Sequence, residues 1–204
     1  MTSEKKQTAL AAIASEIATC QKCQLHKQRT KTVPGSGNPD AEVLFIGEAP
    51  GKSEDLQGEP FIGAAGKFLN QMLESINWRR EDIFIANVVK CRPPDNRDPE
   101  PAEVKTCWDF LAKQIEIIAP KLIVTLGRHS MNRFLPGLKI SAAHGKAVRR
   151  KDGKIFLPLY HPAAALYSPS QKEVHLIDFA KIPKILEKIS EISNSDKFTE
   201  LDEN

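Results

Sequence analysis

Three side chains that could take part in acid–base or recognition chemistry stand at or just behind short apolar runs of this chain, and the aromatic Phe61 follows in the loop behind the first run. Glu48 lies in the segment GEAPG, Asn87 stands near the end of the next run, and His161 directly follows a later one. A carboxylate can orient water, an amide can read a polar ring edge, and an imidazole can donate a hydrogen bond. Each also has ordinary structural uses, as does Phe61, so the prediction of a site depends on their coincidence at strand ends.

The segment 45–66, in which glycines and prolines recur, follows the first of these runs and raises the alternative of a phosphate-binding loop. It lacks the GxxxxGK[ST] pattern, and Glu48 would repel a phosphate group. We therefore expect this loop to serve a different ligand.

Four cysteines form a second set of reactive side chains: Cys20 and Cys23 are separated by two residues, and Cys91 and Cys107 follow. In a reducing cytosol such cysteines seldom form structural disulfides, and a complete set of four with one tight pair favours a metal centre. Two buried thiols and an incidental CxxC are the alternative. The spacing fits zinc and a [4Fe-4S] cluster equally well.

Composition limits the remaining possibilities. The 204 residues suit one domain, over 1–194, followed by a disordered acidic tail over 195–204. No apolar run approaches the ~20 residues that span a bilayer, so we expect a cytoplasmic protein without a membrane partner. The net charge of +3 becomes +6 without the tail, which is a mild indication of a polyanionic partner.

Four apolar runs predict the strands that position these side chains: 41–47, 82–89, 121–127 and 154–160. Helical patterns lie between them, and this alternation predicts an α/β fold, a three-layer α/β/α sandwich around a four-stranded parallel sheet. Ligands of such sheets bind beyond the carboxyl ends of the strands, where the candidate side chains stand. A helix is also predicted at each end of the chain, the last one interrupted by Pro183.

Five separated features carry a resemblance to a known family. The segments GEAPG, EDLQGEPFIG, NVVKCRPPDNRDP and YHPAA, together with the four cysteines in this order, resemble family 4 uracil-DNA glycosylases, the iron–sulfur branch of that superfamily. The resemblance runs from about Cys20 to Leu166. It implies the four-stranded α/β/α sandwich and a [4Fe-4S] cluster bound by Cys20, Cys23, Cys91 and Cys107.

The resemblance also implies roles in excising uracil from DNA. Glu48 would orient the attacking water and stabilise the positive charge on the sugar, and His161 would donate a hydrogen bond to uracil O2. Asn87 would read the O4 and N3 edge, Phe61 would stack on the flipped base, and Glu54 would lie near C5, where a thymine methyl group would clash. Gly47 and Ala49 belong to the same predicted substrate-binding set.

Uracil-containing DNA is the expected partner of a monomeric protein. Arg92, Lys146 and Arg149 are candidate phosphate contacts, as are Arg97 and Arg150, although a solvated charged face is the alternative for each. Leu166 occupies the segment that in the superfamily inserts into the duplex, and a core leucine is the alternative.

Two positions depart from the family pattern: Ala163 replaces a serine in the HPSA motif, and Ala64 stands where an arginine is common. Neither change affects Glu48, Asn87 or His161. The segment CRPPDNRDPEP, in place of a basic KRRIH insertion, argues against covalent attachment to uracil-DNA. A catalytically weak uracil- or DNA-binding module and a cluster-based redox-sensing DNA-binding protein remain alternative functions.

Overall fold

A computed structural model of the chain describes residues 1–201, with side chains described to residue 192. Its centre is a sheet of order β1-β3-β2-β4-β6-β5. The strands are β1 (Ser36–Gly37), β2 (Val43–Gly47), β3 (Phe84–Asn87), β4 (Leu122–Leu126), β5 (Val148–Arg149) and β6 (Ile155–Leu159). The four inner strands are parallel, and the two-residue edge strands β1 and β5 are antiparallel to their neighbours.

Helices cover both faces of this sheet. They are α1 (Ser3–Ala18), α2 (Lys52–Gln57), α3 (Ala64–Ser75), α4 (Pro101–Ile118), α5 (Arg128–Phe134), α6 (Ile140–Ala143), α7 (Pro169–Phe179) and α8 (Ile182–Leu201). Short 3-10 turns occupy Gln24–Lys27, Arg80–Asp82, Pro94–Asn96 and Pro162–Leu166. Within the residues described, no helix is both long and apolar enough to cross a membrane.

The inner strands are apolar except at Asn87 and Thr125, because both of their faces are buried. Along β2, Leu44 and Ile46 pack into one core with α1 and α4, whereas Val43 and Phe45 pack into a second core with α3, α7 and α8. Alternate side chains of a strand point to opposite faces, so two cores require a helical layer on each side. The predicted α/β/α sandwich is confirmed.

The sheet has six strands where the sequence predicts four. All four predicted strands are present and parallel, and β1 and β5 are added at the edges. A strand of two residues is too short to show the alternation of apolar and polar side chains by which strands are recognised in a sequence. In addition, β1 consists of Ser36 and Gly37, which have low strand propensity.

Register aligns the carboxyl ends of the strands. Gly47 lies opposite Asn87, and Leu126 lies opposite Leu159. The loops after β2, β3, β4 and β6 therefore open at the same edge of the sheet.

The carboxyl-terminal helical segment is interrupted where the sequence predicts it. α7 ends at Phe179 and α8 begins at Ile182, with Pro183 in the first turn, where its missing N–H removes no helical hydrogen bond. Of the predicted acidic tail, 195–204, the backbone is helical to Leu201, and residues 202–204 lie outside the described residues. The domain over 1–194 and the disorder of the tail remain predictions.

Candidate active site and cysteine centre

A cleft of about 380 Å³ opens at the carboxyl edge of the sheet. Most of the predicted catalytic and substrate-binding residues line it. They are Glu48, Ala49, Glu54, Phe61, Asn87 and His161. The remaining one, Gly47, ends β2 directly below the cleft.

Glu48 is half-buried at the start of the loop after β2. Its Oε1 atom is buried and has no hydrogen-bond partner among the residues described. Burial raises the pKa of this carboxyl group to about 7, the neighbouring Asp98 raises it further, and Arg128 opposes the rise. A carboxylate with this pKa can exchange a proton near neutral pH, and its unpartnered oxygen can receive a donor from a ligand or water.

His161 directly precedes the 3-10 turn Pro162–Leu166. Its Nδ1 accepts a hydrogen bond from the Ala163 N–H at 3.2 Å. Burial lowers its pKa to about 4, with a further contribution from His175, so the ring is neutral at pH 7. Because Nδ1 is an acceptor, Nε2 carries the proton and is the ring's hydrogen-bond donor.

Asn87 and Phe61 form a recognition surface that depends on Gly47. Asn87 is 1% exposed, and its Oδ1 has no partner among the described residues. A Cβ atom on Gly47 would lie 2.4 Å from Asn87 Oδ1 and 2.7 Å from the Phe61 ring. The ring centroids of Phe61 and His161 are 5.6 Å apart. Glycine at position 47 therefore allows the amide and the aromatic ring to approach each other.

Arg80 maintains the conformation of Phe61, a role that the sequence does not predict. Phe61 has a φ of +53°, which is unfavourable for an aromatic residue. The Arg80 guanidinium donates to the carbonyl oxygens of Pro60 at 2.5 Å and Phe61 at 2.8 Å. Gly66 allows the same turn, because a Cβ there would lie 1.7 Å from the Phe61 oxygen. The glycine is visible in the sequence, whereas no local pattern identifies Arg80.

Glu54 binds backbone amides of the cleft loop. Its Oε2 accepts from Gly51 N–H at 3.1 Å, and its Oε1 accepts from Ile62 and Gly63 N–H at 3.0 and 2.9 Å. It lines the cleft as predicted, but both of its oxygens already stabilise the loop. The structural role of Glu54 is therefore to hold the loop that forms a wall of the cleft.

A group that the sequence analysis did not single out lies beside Glu48. The ligand atoms of Glu48, Asp98 and His129 lie within 4.8 Å of one another. His129 Nδ1 is 3.8 Å from Glu48 Oε1, and His129 Nε2 is 3.0 Å from Asp98 Oδ2. His129 directly follows Gly127-Arg128 after β4. Its position just behind a predicted strand is the sequence feature that could have identified it as a site residue.

The four cysteines converge on a small apolar void between α1, the loop after β3 and α4. The void also contacts Ile17 and Phe110, and all four thiols are free. Burial raises the pKa of the Cys107 thiol to about 11 and also raises the pKa values of Cys23 and Cys91.

Arg29 adds a positive charge to this centre. Its Nη1 donates to Cys91 Sγ at 3.2 Å and to the Cys20 carbonyl oxygen at 2.7 Å. Lys90 also lines the void and acts on Cys107. Cations next to these buried and half-buried thiols favour their deprotonated form, which is the form that ligates metals.

Predicted DNA contacts differ in their relation to the cleft. Leu166 is 43% exposed at the end of the turn after His161, so it is not a core leucine, and the adjoining Tyr167 is 89% exposed. Arg92 donates to Asn96, which lines the cleft, at 2.7 Å. These residues therefore lie near the candidate site.

The other predicted basic contacts are more dispersed. Lys146 is exposed and donates to the Ala142 carbonyl oxygen at 2.9 Å. Arg149 lies opposite Ile155 at the amino end of β6, so the structure does not bring it to the cleft. Arg97 lines the cleft, where it forms a two-bonded ion pair with Glu103, and Arg150 lies over the Phe156 ring.

Comparisons with known proteins agree with this geometry. The model of the uracil DNA glycosylase superfamily matches residues 34–186. The chain is 52% identical to a type-4 uracil-DNA glycosylase of Archaeoglobus fulgidus, covering 86% of this chain and 92% of that protein. It is 48% identical to one from Sulfurisphaera tokodaii, over 86% and 84%, and 41% identical to one from Thermotoga maritima, over 86% and 94%. The chain belongs to the uracil DNA glycosylase superfamily.

Proposed function

We propose that this protein is a uracil-DNA glycosylase, which flips uracil out of DNA and hydrolyses its N-glycosidic bond to leave an abasic site in base excision repair. The observation that carries the proposal is one cleft containing a carboxylate, a neutral imidazole and an unpartnered amide oxygen. A volume of about 380 Å³ accommodates one flipped nucleotide, and membership in the superfamily supports the same chemistry.

Glu48 acts on the sugar side of the reaction. Bond cleavage develops positive charge on the deoxyribose, and an ionised carboxylate stabilises that charge. The same group orients the attacking water and receives its proton, for which a pKa of about 7 is suited. Its unpartnered Oε1 is available for this water.

His161 acts on the departing base. Cleavage leaves negative charge on uracil, and a neutral ring with its proton on Nε2 donates a hydrogen bond to O2 as that charge develops. With a pKa of about 4, the ring remains neutral in this role across the physiological pH range.

Asn87 and Phe61 select the base. The Asn87 amide accepts from uracil N3–H through Oδ1 and donates to O4, whereas cytosine presents the opposite polarity at those positions. Phe61 stacks on the ring, and Glu54 supports the loop near C5. Buried polar groups that match one base strongly disfavour a mismatched one.

Leu166 and the exposed Tyr167 beside it are suited to fill the space left in the duplex by the flipped nucleotide. Arg92 and Lys146 contact DNA phosphates in this proposal. The position of Arg149 at the amino end of β6 makes it a contact only for DNA extending well beyond the cleft.

A [4Fe-4S] cluster is the proposed cofactor. The four converging thiols, two of them buried and two half-buried, and Arg29 fit a thiolate-bound cofactor. Among the described residues, no three of these sulfurs lie within 4.8 Å of one another. One zinc ion with bonds of about 2.3 Å would hold its sulfurs about 3.8 Å apart, so the wider separation favours a cluster. When bound, the cluster would crosslink the end of α1, the loop after β3 and α4.

A cleavage assay tests the activity. A labelled oligonucleotide with one uracil is incubated with the protein and then treated with alkali, beside a cytosine control. Alkali-dependent breakage at uracil alone is expected from wild type and not from Glu48→Gln. Absence of breakage from protein with intact DNA binding would overturn the proposal and favour a binding module.

A further inference from the structure

Glu48 borders a second cavity in addition to the candidate active-site cleft. This cavity, of about 520 Å³, lies between α4, α5 and the loop before α4. His129 lines its wall, together with the basic residues Lys105 and Arg133. The catalytic carboxyl group therefore separates the substrate cleft from a basic cavity whose role the proposed reaction does not explain.

His129 connects Glu48 to two charged residues at this boundary. Its Nε2 lies 2.8 Å from the donor Arg128 Nε and 3.0 Å from Asp98 Oδ2. Arg128 Nη2 in turn lies 3.5 Å from Asp98 Oδ2. The ring is therefore held on one side by an arginine and a carboxylate, with its other nitrogen 3.8 Å from Glu48 Oε1.

The hydrogen bond from Arg128 determines which ring nitrogen of a neutral His129 carries the proton. If Nε2 accepts from the guanidinium, the proton lies on Nδ1, the nitrogen that approaches Glu48. If the ring is doubly protonated, Nε2 donates to Asp98, and Nδ1 still presents an N–H to Glu48. Both protonation states place a donor opposite an oxygen that otherwise has none.

We propose that His129, held by Asp98 and Arg128, is a positioning residue for Glu48: it orients the catalytic carboxylate, and the two flanking charges set how readily that carboxylate takes up a proton. The inference rests on the proposed glycosylase function. It assigns a role to a histidine and an ion pair that do not line the base-recognition surface.

Electrostatics supports this arrangement with opposite signs for the two flanking residues. Asp98 raises the pKa of Glu48 and Arg128 lowers it. The other charged or titratable groups that line a cavity with Glu48 are Lys105 and Arg133 in the second cavity and Glu54, Arg97 and His161 in the cleft. Because Asp98 and Arg128 are 60% and 66% exposed, solvent and salt weaken their influence.

The test compares the pH dependence of Asp98→Asn and Arg128→Gln. Single-turnover rates on uracil-containing DNA are measured from pH 5 to 9 at low salt. Asp98→Asn should move the acid limb to lower pH and Arg128→Gln should move it to higher pH, each by about 0.2 to 0.7 unit. Both shifts should shrink in high salt. Asp152→Asn and Lys121→Gln, the same charge changes at the opposite edge of the sheet, should leave the limb unmoved.

His129 itself is tested with two substitutions. His129→Ala should lower the single-turnover rate about tenfold with little change in DNA affinity. His129→Asn keeps an amide donor near the position of Nδ1 and should recover most of that rate. Equal losses in both variants, or a loss only in DNA affinity, would overturn the positioning role.

A direct titration separates this inference from the proposed activity. Carbon-13 NMR of the Glu48 carboxyl group, assigned with Glu48→Gln, follows its protonation without any substrate. Opposite shifts of its titration midpoint in Asp98→Asn and Arg128→Gln support the electrostatic role even if the wild-type protein cleaves no uracil-DNA. Unchanged midpoints in both variants would overturn that role even if the glycosylase is active.

Discussion

The His161 ring accepts its hydrogen bond from the backbone of Ala163, at 3.2 Å between Nδ1 and the amide nitrogen. Any residue except proline at position 163 can supply this donor. Alanine at this position, where the resemblance leads one to expect the serine of an HPSA motif, therefore leaves the tautomer of the proposed catalytic histidine unaffected.

Restoring that serine is expected to alter DNA binding and not the chemical step. In Ala163→Ser, the single-turnover rate at saturating enzyme should stay within about twofold of wild type, because the backbone bond to His161 is retained. The added hydroxyl borders the cleft and can donate to a DNA phosphate, so the dissociation constant for DNA should fall. A large change in the saturating rate would show that the side chain itself affects His161.

His161→Gln tests the neutral imidazole. The folded pKa of about 4 lies below the ordinary value of 6.5, so unfolded chains take up a proton that folded chains do not. The stability that this histidine contributes is complete above about pH 6.5 and is lost as pH falls toward 4, by up to about 3 kcal/mol. The free energy of unfolding should therefore fall less between pH 7 and pH 4 in the variant than in wild type.

Catalysis is tested with His161→Ala, because glutamine keeps an amide donor. The activity of the alanine variant should fall by about 10²- to 10³-fold, since one donor to the developing anion is removed. Urea titrations of wild type and His161→Gln at pH 4.5 and 7.5 measure the stability difference. An identical pH dependence of stability in wild type and His161→Gln would contradict the assignment of a buried neutral ring.

Glu48→Gln should stabilise the protein at alkaline pH while abolishing catalysis. Burial raises the folded pKa of Glu48 from 4.5 to about 7, so its favourable contribution is present below about pH 4.5 and is lost as pH rises through 7. Above pH 7 the ionised group costs up to about 3 kcal/mol relative to a neutral one. The free energy of unfolding of Glu48→Gln should therefore exceed that of wild type by more at pH 8.5 than at pH 5.

Glu42→Gln is the control for this measurement, because Glu42 is exposed and forms an ion pair with Lys121 at the other edge of the sheet. The active enzyme requires the ionised form, so wild-type activity should rise with pH through about 7. A pH-independent stability difference for Glu48→Gln would contradict this interpretation.

The parts of the candidate site that can be predicted from the sequence are those whose position follows from the order of strands. Glu48, Asn87 and His161 stand just at or behind strand ends, and parallel register brings strand ends together irrespective of the side chains between them. The same reasoning does not reach Arg80, which comes from a separate 3-10 turn and contacts the cleft only through the carbonyl oxygens of Pro60 and Phe61.

Basic residues were the least predictable part of the site. Arg97 and Arg149 look equivalent in sequence, yet one is engaged by Glu103 and the other lies at the amino end of β6. A charge carries no periodic signal, so its position depends on tertiary folding. Leu166 posed the opposite difficulty, since only its measured exposure distinguishes a surface wedge from a core leucine.

Asn87→Asp should change base preference from uracil toward cytosine. Oδ1 of Asn87 has no hydrogen-bond partner within the part of the chain that the structure describes, and the amide nitrogen is the donor that O4 of uracil requires. An ionised aspartate only accepts and therefore repels O4 of uracil, whereas a protonated one accepts from the exocyclic amine of cytosine and donates to its N3. Uracil excision should fall by at least about tenfold and cytosine excision should become detectable, as measured on paired oligonucleotides.

Asn70→Asp is the control for the added charge, since Asn70 contacts Arg80 and does not line the cleft. Retained uracil preference in Asn87→Asp would assign base selection to other atoms of the cleft.

Loss of the metal centre should destabilise the whole protein, because the cysteines join α1, the loop after β3 and α4. Removing iron with a chelator and oxidant, or substituting Cys107→Ala, should lower Tm by about 10 °C. If both treatments remove the same interaction, chelation should lower the Tm of Cys107→Ala almost no further. Metal analysis of wild-type protein should find four irons per chain; one zinc per chain, or an unchanged Tm after complete metal loss, would contradict a structural [4Fe-4S] cluster.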